Sequence, residues 1–255
     1  MTAADPDFQL KLADCEADLL AAQRLRYEVF VVELGAGGEG VDHARRLESD
    51  RYDPLYDHLL LLDRNRSSAD RVVGVYRLRR ADQAGKAGRF YTESEYDLSV
   101  LRQSGRRLLE LGRSCLHADY RGGTAMYQLW SGLADYVAQH AIEVLFGVAS
   151  FHGTDIDALA GPLSFLHHRY LAPPDLRVVA RADHAQRMDL MPEDGLDRRA
   201  AMLATPALIK AYLRLGGFVG QGAWIDHAFN TTDVCLVMDT GRMNERQRAL
   251  YARKR

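Results

Sequence analysis

The chain is poor in cysteine: Cys15, Cys115 and Cys235 are the three among 255 residues, and they lie far apart. No C-x-x-C pair exists, so neither a zinc ligand set nor a vicinal redox pair is encoded, and no metal is expected. A reduced, cytoplasmic setting follows. Long apolar runs are also missing. Nothing approaches the roughly 18 residues of a membrane span, and the acidic start Met1-Thr-Ala-Ala-Asp-Pro-Asp7 lacks the apolar core of a secretion signal. An excess of either charge is absent too. Lys plus Arg total 33 against 35 Asp plus Glu, which gives no field for nucleic acid, and none is expected as a partner.

What is present is 47% hydrophobic residue over a length that supports one full core. Apolar spacing predicts a helix over 17–33, ended by the glycine cluster Gly35 to Gly40. Short apolar runs predict strands at 58–62, 72–78, 107–116, 142–149, 176–180 and 234–239. Met126, Leu129, Trp130, Leu133 and Val137 repeat at helical spacing between two of them, which makes a strand–helix–strand crossover and a parallel pair. Thr205-Pro206 predicts an N-cap and first helical residue, with Gly216-Gly217 as the stop. Thr154 reads as another N-cap. One domain over 1–255 is expected.

Charge is concentrated in Glu48-Ser-Asp50-Arg-Tyr52-Asp53, three carboxylates in six residues running into an apolar strand. With Arg26, Arg77 and Arg113 on neighbouring predicted elements, this reads as a site for an amine-bearing substrate. The alternative is an ionic bridge between the first helix and the sheet. Glu110 interrupts Leu108-Leu-Glu-Leu111, where a carboxylate needs a partner to offset desolvation. It is a candidate general base or half of an ion pair with Arg113 or Arg77. His117-Ala-Asp-Tyr-Arg121-Gly-Gly-Thr-Ala-Met126 is a glycine turn opening a helix, suited to an anion or simply to a tight turn. His152 and Asp155 flank a further helix start, Asn230-Thr-Thr-Asp233 leads into the last strand, and His167-His168 reads as an exposed helix end.

That glycine turn resembles the pyrophosphate turn of the GNAT acyltransferase fold, with Arg121 in the first motif position and Thr124 and Met126 where glycine or alanine is usual. Arg26-Tyr-Glu-Val-Phe30, Glu48-Ser-Asp-Arg-Tyr-Asp53, Arg77 and Glu110-Leu-Gly-Arg113 are similar to the stations of N-acyl-homoserine-lactone synthases. The tryptophan expected soon after the first motif is replaced by Leu34-Gly35-Ala36. A closer resemblance covers nearly the whole chain. Leu109-Glu-Leu-Gly-Arg-Ser-Cys-Leu116, Tyr120-Arg-Gly-Gly-Thr-Ala-Met126, Gly147-Val-Ala-Ser-Phe-His-Gly-Thr-Asp155, Lys210-Ala-Tyr-Leu-Arg-Leu-Gly-Gly-Phe218 and Phe229-Asn-Thr-Thr-Asp-Val234 look like the bacterial L-ornithine Nα-acyltransferases of ornithine-lipid synthesis.

The resemblance implies an α/β (α+β) GNAT-like fold: a mixed, largely antiparallel central sheet with a splayed parallel pair and flanking helices. It also implies transfer of a 3-hydroxyacyl chain from acyl carrier protein to the α-amine of L-ornithine, giving lyso-ornithine lipid. No cofactor is expected beyond the phosphopantetheine thioester of the co-substrate. Glu110 becomes the candidate base. Arg121, Gly122, Gly123, Thr124 and Ser114 become the acyl-donor set, and Arg26, Asp50, Asp53, Arg77 and Arg113 the acceptor set. A glutamine-directed relative and a non-catalytic acyl-carrier or lipid-binding regulator are the rivals. Six cations face one acid from Arg242 to Arg255, and this tail is the expected peripheral contact with an anionic membrane.

Overall fold

A computed structural model describes residues 5–84 and 88–243. The cationic tail expected to touch the membrane therefore lies, apart from Arg242 and Met243, outside the described residues. The labelled elements, in chain order, are β1 (Phe8–Leu12), α1 (Glu16–Arg26), β2 (Asp57–Asp63), β3 (Val72–Arg80), β4 (Leu108–Leu116), α2 (Ala125–Gln139), β5 (Val144–His152), α3 (Ile156–Tyr170), α4 (Arg198–Ala204), α5 (Ala207–Arg214), β6 (Ala223–Asp226) and β7 (Thr231–Asp239). They fall into two compact units, one within Met1–Arg79 and Leu111–His140, the other within Arg80–Glu110 and Ala141–Leu250.

In the first unit β1 and β2 pair antiparallel, Phe8 opposite Asp63, and β2 and β3 likewise, His58 opposite Arg77. The C-terminal part of β4 follows β3 in the order. Glu16 and Asp18 in the first turn of α1 and Arg24 and Arg26 in its last complement the helix dipole. Ala22 and Leu25 of α1 pack with Val29, Leu60, Leu62, Val72, Val75 and Cys115. The expected helix over 17–33 is α-helical only to Arg26. From Tyr27 to Glu33 it widens into a π-helix, with the Leu34 N–H donating to the Val29 carbonyl five residues back. That added residue per turn follows Arg26, whose side chain is anchored elsewhere.

In the second unit β4 runs parallel to β5 over Leu108–Glu110, opposite Val144–Phe146, so the expected crossover is present. β5, β7 and β6 continue antiparallel. Phe90 meets Phe146 edge-on, centroids 5.0 Å apart, in a core with Tyr96, Leu108, Val144 and Val237. The fold is thus mixed α/β with a parallel pair and flanking helices.

Four local expectations need correction. The run 176–180 yields a strand only at Val179–Ala180, because the Leu176 N–H closes a turn onto the Pro173 carbonyl. The cap of α3 is Asp155 rather than Thr154: its carboxylate accepts from the Asp157 and Ala158 N–H groups. Thr205 ends α4, donating to the Ala201 carbonyl, and Pro206 is the N-cap of α5. Strands β1 and β6 stand outside the six expected runs.

Candidate active site

The acidic segment sits where a short bridge, Val41 opposite Glu48, returns the chain to order. Gly40 is there because nothing larger fits: a Cβ on it would stand 2.0 Å from the Ser49 carbonyl oxygen. This contact fixes the backbone between Glu48 and Asp50.

All five expected acceptor residues, with Glu48, are drawn into one ionic cluster in the first unit. Arg26 bonds Glu48 through Nε and Asp53 through Nη1, the latter at 2.7 Å. Arg77 Nη1 reaches both Asp50 oxygens at 2.7 Å and Asp53 Oδ1 at 2.8 Å. Arg113 joins Glu48 at 3.2 Å and Asp50 at 3.1 Å. Gln23 donates to Asp53 at 2.9 Å, the His58 ring contacts the Asp53 carbonyl at 3.0 Å, and the Arg77 guanidinium lies 4.7 Å from the centre of the Tyr56 ring. Gln23, Tyr56 and His58 carried no signal of this role beyond proximity in sequence.

Three guanidinium groups therefore face three carboxylates, and the cluster neutralises itself. Arg26, Glu48, Asp53 and Arg77 side chains are at most 2% exposed, whereas Asp50 is 18% and Arg113 12% exposed. The four buried members act as a frame, and Asp50 and Arg113 form its open edge. Burial opposes the charge on Asp53, yet Arg26 and Arg77 hold its carboxyl far below the usual range. Asp50 is likewise lowered, by Arg77 and Arg113 against burial. Burial pushes His58 down. Arg113 takes φ +49° within β4, a left-handed residue that re-aims its side chain.

Glu110 lies in the second unit, 1% exposed. Its two oxygens accept from the Tyr91 N–H at 3.1 Å and the Thr92 N–H at 2.6 Å. It therefore orders the turn Tyr91–Ser94 as well as being a candidate base, a partnership invisible in sequence. In the same unit the carboxylates of Glu95, Asp226 and Asp233 lie within 4.8 Å of one another. Asp233 belongs to the segment flagged before the last strand; Glu95 and Asp226 carried no signal. His168 contacts the Met191 carbonyl at 2.9 Å, which ties the end of α3 to the following loop.

At the glycine turn Gly122 adopts φ +78°, and Arg121, Gly122, Gly123 and Thr124 are exposed. Thr124 precedes α2 without capping it through its side chain, so its hydroxyl does not occupy the first-turn N–H groups. Arg121 bonds the Leu116 carbonyl at 3.0 Å and Glu33 at 2.7 Å, so it braces the turn. Ser114 is half-buried on β4. Burial pushes the Cys115 thiol up to about 12, and Cys235 is raised as well, so both stay protonated and poorly nucleophilic.

A mixed sheet with one parallel strand pair and, further along the chain, a glycine turn opening a helix make this a GNAT-like fold. The family model described as Acetyltransferase (GNAT) domain matches residues 25–131. The acyl-homoserine-lactone (AHL) synthase LasI shares the fold, with a TM-score of 0.51 at 14% identity over 97% of this chain and 95% of that one. The L-ornithine N(alpha)-acyltransferase of Rhodobacter capsulatus is 59% identical over 256 residues, covering all of this chain and 98% of that protein. The protein of the same name from Brucella abortus is 42% identical over 247 residues, 95% and 88% of the two chains. The chain belongs to the L-ornithine N(alpha)-acyltransferase family.

Proposed function

We infer that this chain acylates the α-amine of L-ornithine, taking a 3-hydroxyacyl group from the phosphopantetheine thioester of acyl carrier protein and releasing lyso-ornithine lipid. The observation that carries the reading is the 59% identity, end to end, to the Rhodobacter capsulatus enzyme. Asp50 and Arg113, at the open edge of the cluster, receive the acceptor: the carboxylate meets a substrate ammonium and the guanidinium its carboxylate. The α-ammonium gives one proton to a general base, the role for which Glu110 is the candidate, and the freed nitrogen attacks the thioester carbonyl carbon. The carbon–sulfur bond then breaks, a second proton leaves the nitrogen for the departing thiolate, the first is released to solvent, and an amide remains. No acyl-enzyme is required, in keeping with the protonated Cys115 and Cys235. The exposed turn Arg121–Thr124 and Ser114 hold the pantetheine arm, with first-turn N–H groups at the phosphate.

The protein works in the cytoplasm with a peripheral contact to the anionic inner leaflet; no helix among the described residues is long and apolar enough to cross a membrane. The test offers purified enzyme a 3-hydroxyacyl carrier protein with equimolar ornithine, glutamine and lysine, and identifies the lipids by mass spectrometry. Acylornithine as the main product supports the reading. Acylglutamine, or no product, overturns it.

A further inference from the structure

From Arg198 to Ile225 the chain has four cations, Arg198, Arg199, Lys210 and Arg214, and no acid. This stretch begins with α4 and α5. Leu203, in the last turn of α4, is 71% exposed, more than any other large hydrophobic side chain among the described residues. The Lys210 ammonium lies 3.5 Å from the Leu203 carbonyl oxygen, so charge and apolar side chain share one end of the helix pair. Arg198 pairs with Glu193. Arg199, Lys210 and Arg214 have no ion-pair partner among the described residues. Some exposed arginines elsewhere are paired, as in Arg46–Glu28, Arg64–Asp7 and Arg187–Asp189, while Arg24, Arg45, Arg71 and Arg181 stand singly; what distinguishes α4–α5 is that its unpaired cations sit beside the projecting Leu203.

An exposed leucine alone needs no explanation. A projecting leucine beside unneutralised cations, in a stretch free of acid, has the composition of an interfacial element. We propose that the α4–α5 face is the surface by which this protein docks on an anionic bilayer, with Leu203 entering the head-group boundary and Arg199, Lys210 and Arg214 meeting lipid phosphates. A bilayer accepts one projecting side chain without a shaped recess, which a folded partner would have to supply. The inference rests on the reading that the product is a lipid, which must pass to a membrane.

The test compares the full chain with Leu203→Asp, Leu203→Phe and the double variant Arg199→Glu/Lys210→Glu. Each is sedimented with vesicles of phosphatidylcholine alone or mixed with phosphatidylglycerol, at low and high salt and without substrate. The parent chain is expected to bind the mixed vesicles and to weaken with salt. Each cation removed lowers partitioning about fivefold. Leu203→Asp lowers it at both salt levels, Leu203→Phe preserves it, and all variants keep the parent circular dichroism. Variants that sediment like the parent, or a parent that does not sediment, overturn the proposal. Unchanged sedimentation with a raised KM for acyl carrier protein also overturns it and gives the face to the carrier. Because sedimentation is read without substrate, a failure to acylate ornithine would remove the reaction and leave the surface standing.

Discussion

Asp50 and Asp53 are chemically identical and three positions apart, yet they do different work. Asp53 is buried between Arg26 and Arg77. Its change to Asn leaves Arg26 with Glu48 and Arg77 with Asp50, but it removes one negative charge from the most buried part of the cluster, where three guanidinium groups would then face two carboxylates; the expected cost is about 3–5 kcal/mol of stability, read by chemical denaturation. Asp50→Asn leaves Arg77 with Asp53 and Arg113 with Glu48, so it should cost about 1 kcal/mol while raising the KM for ornithine. Equal stability losses for the two would contradict the division into frame and edge. The sequence exposed the six ionic residues because acid and arginine recur near apolar strands. It could not show that they neutralise one another, since pairing across 22 to 65 positions is set by the fold.

Glu110→Gln has two expected effects. Loss of the base lowers kcat by about 10²–10⁴-fold. In addition, the new amide turns a donor toward either the Tyr91 or the Thr92 N–H, which destabilises the turn by about 1–3 kcal/mol. Steady-state kinetics below the melting transition separate the two. Near-parent kcat would remove Glu110 from the proton path and leave it as a clamp on the turn. Its place in an apolar run marked it as partnered; only the structure identifies backbone N–H groups of residues 91 and 92 as partners.

Among the elements, the parallel pair, α2 and the glycine turn were legible because their signals are local: apolar spacing, a crossover length and glycines before a helix. β1 lies outside the expected strands although Phe8-Gln-Leu-Lys-Leu12 alternates in the strand manner, because five residues give only a short pattern. The boundary between α4 and α5 was misplaced because Thr-Pro satisfies an N-cap pattern equally well when threonine closes the preceding helix. The glycine cluster after α1 reads as a loose loop, yet Gly40 packs against the Ser49 carbonyl. Gly40→Ala must therefore move the backbone that carries Glu48 and Asp50. The expected cost is about 1–3 kcal/mol of overpacking, with a raised KM for ornithine. Gly37→Ala, whose Cβ meets nothing within 4 Å, should leave both unchanged. Identical melting points for the two variants would refute the close approach.

For the whole molecule, the ionic cluster predicts how stability follows pH. Asp50 and Asp53 titrate lower in the folded state than unfolded, so their stabilisation is full above about pH 4 and is lost as pH falls through their folded values. His58 is lowered too: as pH falls through about 6.5 the unfolded chain takes its proton first, and stability begins to decline there. Denaturant midpoints should fall gently below about pH 6.5 and steeply below about pH 4. His58→Leu should reduce the first decline and leave the part that His167, also lowered by burial, contributes. A midpoint flat from neutrality into the acid range would contradict the cluster as described.

The central claim is direct transfer of an acyl group to the α-amine of ornithine. A single turnover of the purified chain, with carrier protein bearing an isotopically labelled 3-hydroxyacyl group and ornithine carrying nitrogen-15 at its α-amine, tests this most directly when product and protein are both analysed by mass spectrometry. The expected result is one labelled amide at the α-nitrogen and no acyl label on the protein. An amide at the side-chain nitrogen, an acylated protein that precedes product, or no transfer would contradict it.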